Sequence, residues 1–126
     1  MTSGLSAFVG DALRIKLQHE RLRALARALE LGVDVRIPVA VLAETLRGGS
    51  RDAPIHRVRN AVDVFPSDEG VGRLAGNLLG RTCGTNTGDA LVAAEAVIAG
   101  ADVLTGDVDD LRELLTAHRA VLVVGL

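Results

Sequence analysis

The sequence predicts an α/β fold, a three-layer α/β/α sandwich around a parallel sheet, and three observations carry that prediction. Stretches with the 3.6-residue apolar period alternate along the chain with short β-branched runs. Each helical stretch is long enough to serve as the crossover that parallel strands require. With 48% hydrophobic residues, and no linker, internal repeat or low-complexity segment, the 126 residues read as one domain spanning 1–126.

From the amino end, Ser6 to Leu31 reads as mainly helical, with Ile15, Leu22, Leu25 and Leu29 on one stripe and Gly32 as the stop. Val33, Val35 and Ile37 alternate with Asp34 and Arg36, the pattern of a strand. Pro38 suits a first helical position; Val39, Leu42, Ala43 and Leu46 then recur at helical spacing until Gly48 and Gly49. A short helix from Pro54 to Asn60 and a strand from Val62 to Phe65 come next. Ser67 is placed to cap the following helix, whose Val71, Leu74, Ala75, Leu78 and Leu79 form an apolar stripe up to Gly80. The Gly-, Thr- and Asn-rich loop 81–88 delivers the chain to Asp89. A mostly apolar helix then runs to Gly100, a strand covers Asp102 to Leu104, a helix covers Val108 to His118, and Val121 to Val124 form a last strand.

Composition excludes several function classes. No apolar run approaches the roughly 18 residues of a membrane span, and the first ten residues lack a basic n-region and a cleavage pattern, so a cytoplasmic location is expected. Cys83 is the single cysteine, which rules out an intrachain disulfide and a Cys-based zinc site. Phe8 and Phe65 are the only aromatic residues, too few for base-stacking platforms. Lys16 is the only lysine and no GxxxxGK[ST] occurs, against a phosphate-cradling NTPase and against a receiver domain with its lysine near the last strand. "GRTCGTNTG" lacks the glycine spacing of a dinucleotide site. The net charge of -2 advertises no nucleic-acid partner, yet Arg47, Arg51, Arg57 and Arg59 fall within one short stretch. Their planar, permanently charged forks suit an RNA backbone, and they equally suit a solvated face.

In a parallel sheet the connections leaving the strands and the starts of the returning helices collect along one edge, where open α/β folds bind ligands. Asp89 opens a helix, Asp107 stands just past a strand, and Glu44 lies about 9 Å along the helix leaving the strand Val33 to Ile37. Gathered carboxylates repel one another unless a cation intervenes, and an oxygen-only set favours Mg²⁺ or Mn²⁺. Each acid also has a plainer reading: Asp89 and Asp107 as helix caps, Asp107 with Asp110 at capping-box spacing, and Glu44 paired with Arg47. His19, His56 and His118 show no metal-ligand or nucleophile-base spacing.

"VLAETLRGG", "GDALVAAEAVIAGADVLTGDVDDLREL" and the strand-helix order resemble the PIN-domain family, in particular the VapC-type toxins of toxin-antitoxin pairs, over nearly the whole chain. The resemblance implies a Mg²⁺- or Mn²⁺-dependent ribonuclease, a homodimer, and a cognate antitoxin that holds it inactive. It assigns Glu44, Asp89 and Asp107 to the second, third and fourth acids of the family, Thr105 to the hydroxyl supporting the last turn, and Asp110 to a frequently acidic position beyond. The alternative is a PIN fold that binds antitoxin or RNA without turnover.

At the front the sequence departs from the family, which begins with a hydrophobic strand running into Asp. "TSGLSAFVG" is similar to the family's segment immediately after that Asp, with Met1 at the acid's position, so the first strand and first acid read as missing. A sheet without its central strand would leave buried backbone groups unpaired, at about 1–3 kcal/mol each. That leads to two expectations: the chain is an incomplete reading of a longer gene, and it is poorly folded or weakly active as it stands.

Overall fold

The sheet is built from β1 (Ser6–Val9), β2 (Asp34–Pro38), β3 (Asp63–Phe65), β4 (Asp102–Thr105) and β5 (Val123–Gly125). Its five strands are all parallel and stand in the order β3-β2-β1-β4-β5. The structure, a computed structural model, describes residues 6–9, 23, 26–46, 48–84 and 86–125. The helices whose bounds fall within the described residues are α1 (Val39–Thr45), α2 (Ala53–Ala61), α3 (Glu69–Arg81), α4 (Thr87–Ala99) and α5 (Val108–Leu114). A 3-10 turn, Ser50–Asp52, precedes α2. The architecture is the α/β/α sandwich with a parallel sheet that the alternating pattern predicts.

The amino end corrects the sequence reading. Ser6–Val9, expected at the head of a helix, is a strand, and it is the central one. Ala7 pairs with Val35 and Phe8 with Arg36 on one side; Phe8 pairs with Val103 and Val9 with Leu104 on the other. The central strand read as missing is therefore supplied by "SAFV", and the backbone groups of β2 and β4 expected to be orphaned have a ladder partner. Ala, Phe and Val followed by Gly make a short apolar run, and such a run fits a buried strand as well as a helix turn. Sheet pairing on both sides decides for the strand, because every buried N–H and C=O needs a partner. Of the stripe Ile15, Leu22, Leu25 and Leu29, the first three lie outside the described residues. Leu29 belongs to the helical residues 26–30 and packs against the core.

Smaller shifts come from capping chemistry. Pro38 is the last strand residue, with ψ 142, and not the first helical one. The cap of α3 is Asp68, whose carboxylate accepts from the Val71 amide at 2.9 Å, and not Ser67. The Ser67 hydroxyl points instead at Glu95 Oε1, 3.4 Å away. Val71 and Leu78 are buried and Leu74 half-buried, so the stripe of α3 packs against the protein's own core.

The core explains why α4 lacks an amphipathic pattern. It lies against α1, α3 and α5 and against β1, β2 and β4. Ala90, Val92, Ala93, Ala94 and Ala96 are all buried. A helix with neighbours on several sides shows little of the one-sided apolar stripe of a surface helix. Small alanines let the surrounding layers approach it closely, which makes α4 the best-anchored element from which a functional side chain could project.

Candidate metal centre

The order β3-β2-β1-β4-β5 reverses between β1 and β4: chain order runs outward to one side through β2 and β3, and to the other through β5. Crevices at such reversals, outside the carboxyl ends of the strands, are where open α/β sheets hold ligands. Two of the predicted acids flank this point, one at the start of α4 and one in the turn after β4.

Asp89 is the third residue of α4 and is 2% exposed. It does not cap the helix. That place belongs to Asn86, whose Oδ1 accepts the Asp89 amide at 2.9 Å. The Oδ2 atom of Asp89 is buried and accepts no hydrogen bond from the described residues. Asp107 does occupy the capping position of α5, yet its side chain makes no capping hydrogen bond. Its backbone amide donates to Thr105 Oγ1 at 3.0 Å, so the fully buried Thr105 hydroxyl braces the turn from the end of β4. Asp110, one turn into α5, is exposed and completes the group.

One carboxylate oxygen from each of Asp89, Asp107 and Asp110 lies within 4.8 Å of the others. Unit like charges about 4 Å apart repel by roughly 1 kcal/mol in water and about 4 kcal/mol at the effective dielectric of a protein surface. The amino ends of α4 and α5 offset part of that, because helix dipoles favour anions there. The donor set fits a hard divalent ion: it is all oxygen, and oxygens bound at ~2.1 Å in octahedral geometry stand roughly 3–4 Å apart, close to the separation the backbone already imposes.

Of the other predicted site residues, Glu44 lies on α1, which leaves β2 directly at the same sheet edge, and its side chain is outside the described set. Arg47 is outside the described residues, as is the side chain of Arg51. Arg57 and Arg59 are exposed on α2. Reasoning from sequence missed Asn86, although an Asn three residues ahead of an acid at a helix start is a capping signature. It also missed the cavity of about 140 Å³ beside the acids, to which Cys83, Asn86, Asp89, Asp110 and Glu113 all contribute; no local pattern brings the loop before α4 to the middle of α5.

With the fold and the acids in place, comparison with known proteins decides the family. Residues 6–114 match the PIN domain family. The chain is a PIN-domain protein. PIN domains are nucleases, and the match begins at Ser6, the first residue of β1. No match is found among curated protein sequences. Among solved structures, this PIN domain is similar to VapBC2 from Rickettsia felis bound to a DNA fragment from its promoter, with a TM-score of 0.72 at 12% identity over 96% of this chain and 98% of that one. It is similar to VapBC-1 from nontypeable Haemophilus influenzae, with a TM-score of 0.71 at 13% identity and the same coverage. It also matches VapBC-5 from Mycobacterium tuberculosis, a member of the VapBC family of toxin-antitoxin systems, with a TM-score of 0.64 at 20% identity, again over 96% and 98% of the two chains. No helix among the described residues is long and apolar enough to cross a membrane.

Proposed function

We propose that this PIN domain is the toxin of a VapBC-type pair, a cytoplasmic ribonuclease that uses Mg²⁺ or Mn²⁺ and is neutralised by a cognate antitoxin. The observation that carries the proposal is the convergence of Asp89, Asp107 and Asp110 to within 4.8 Å at the switch point of a PIN fold. The likeness to three toxin-antitoxin structures supports the choice among PIN-domain functions. A divalent ion bound there would supply an acidified water and offset the charge that develops on a phosphodiester.

The chain's own residues do the holding. Asp89 presents a carboxylate from the rigid core helix, Asp107 from a turn braced by Thr105, and Asp110 from the first turn of α5. Glu44, on the helix that leaves β2, is the further ligand of the proposal. Arg57 and Arg59, with Arg47 and Arg51, are the groups proposed to meet the RNA backbone. The alternative is a PIN fold that binds antitoxin or RNA without turnover, and the cleavage assay below separates the two.

The test is calorimetric titration of Mn²⁺ into the purified protein, with cleavage of a structured RNA measured with and without Mg²⁺. Binding near one equivalent, cleavage that stops on chelation, and loss of both in Asp89→Asn are expected. Cleavage that persists in EDTA, or no binding and no cleavage at all, would overturn the proposal. Light scattering of the free protein tests the homodimer, and a monomer at high micromolar concentration rejects it.

A further inference from the structure

Asn86 stands directly before α4 and beside the acids. Its Oδ1 accepts the amide of Asp89 itself at 2.9 Å, and the residue lines the cavity to which Asp89 and Asp110 contribute. Asn, Asp and Ser serve about equally well as helix caps. At this position they are not equivalent, because an Asp would bring a further negative charge to three carboxylates already within 4.8 Å of one another. A carboxamide supplies the capping acceptor and no charge.

We infer that Asn86 is a positioning residue for the metal centre: by holding the Asp89 amide it fixes the first turn of α4, and with it the direction from which the buried carboxylate reaches Asp107 and Asp110. This rests on the metal reading above and adds a residue that neither the sequence motifs nor the acid cluster assigns. Beyond its first turn α4 is held by packing at Ala90, Val92, Ala93, Ala94 and Ala96, all buried. Its first turn is capped by the Asn86 side chain, which also lines the cavity. Partners one shell out from a ligand orient it, and their loss typically lowers metal affinity 10–100-fold.

The experiment compares Mn²⁺ binding and thermal unfolding in the wild type, Asn86→Ala, Asn86→Ser and Asp68→Ala. Asp68 caps α3 through the Val71 amide at 2.9 Å, the same kind of bond at a helix outside the cluster. It reports what losing a cap does to stability alone. Asn86→Ala is expected to lower Mn²⁺ affinity by about 10-fold and to speed hydrogen exchange at the Asp89 amide. Asn86→Ser keeps an acceptor oxygen and should restore both, and Asp68→Ala should lower the melting temperature with Mn²⁺ affinity unchanged. Should Asn86→Ala fail to fold, Asn86→Asp keeps the cap and adds a charge: it is expected to bind Mn²⁺ more tightly and to melt lower without metal. Wild-type affinity in Asn86→Ala, equal affinity losses in Asn86→Ala and Asp68→Ala, or an unchanged affinity in Asn86→Asp overturns the inference alone. A wild type that binds no Mn²⁺ overturns the metal reading and this inference with it.

Discussion

The amino ends of α4 and α5 look alike in sequence, each a small-residue turn leading to an Asp, and they handle that Asp in different ways. At α4 the capping place is taken by Asn86, leaving Asp89 inside the first turn and buried. At α5 Asp107 sits in the capping place without capping, while Thr105 ties its amide to the end of β4. One acid is positioned by the helix it belongs to, the other by the strand before it. The habit of reading Asp at a helix start as a cap fails at both ends, for different reasons: in one a better cap precedes it, in the other the turn is satisfied from behind. Both ends nevertheless deliver a carboxylate to the same point.

The sharpest way to break that comparison is to remove the acid from the rigid end. Asp89→Asn should weaken Mn²⁺ binding by at least the roughly 10–100-fold that even outer-shell changes cost, and should raise the melting temperature of the metal-free protein by relieving repulsion. A lower metal-free melting temperature would show that the cluster is held together by something other than a cation. Next in size is the effect of the ion itself. At a free concentration about 100 times its Kd, Mn²⁺ should add about 2.7 kcal/mol of stability, visible as a melting shift that EDTA reverses and that Asp107→Asn removes. Thr105→Val should then show how far the second end depends on its brace. It removes the acceptor for the Asp107 amide in a buried place and should cost about 1 kcal/mol, with Mn²⁺ affinity reduced less than in Asp89→Asn. An unchanged melting temperature would mean that the turn holds itself.

The smallest effect lies further along α4. Burial pushes the Glu95 carboxyl above its ordinary value of 4.5; the Ser67 hydrogen bond pulls it down, and Asp68 adds to the upward push. A raised native pKa means that the folded state holds the proton more tightly than the unfolded one. Stability from this group is therefore highest at low pH and falls as pH rises from 4.5 through the raised value. Glu95→Gln should melt higher than the wild type at neutral pH and equally at about pH 4. A variant less stable at neutral pH would assign the carboxylate a partner that outweighs its burial.

Much of the molecule was legible in the sequence, because period and punctuation survive wherever one face is buried. β2 shows in the alternation around Val35 and Ile37, α3 in its apolar stripe, and α4 in the mostly apolar run after Asp89. The acids Asp89 and Asp107 were legible as a pair because both stand where elements meet. Ser6–Val9 was not, since four residues are too few to show a period, and their partners lie far along the chain at Val35 and Val103. Asp110 was legible only as a supporting acid; the folded turn of α5 is what sets it, and not Asp109, beside Asp89. Asn86 escaped because the more prominent Asp three residues later drew the capping role to itself.

The position of β1 also sets when this enzyme could come into being. Ala7 pairs with Val35, 35 − 7 = 28 positions away, and with Asp102, 102 − 7 = 95 positions away. A chain made from its amino end, at about 5–20 residues per second, can join β1 to β2 early, but it holds the other edge of β1 open for most of its synthesis. Contacts this distant in sequence make folding slow, since the closure entropy must be met before any pairing rewards it. Asp107 arrives only with β4, so the acid cluster and the closed sheet appear together at the end. A nascent chain lacks the assembled acid cluster until then, and chains halted after Ala99 should show helical signal without a cooperative melting transition.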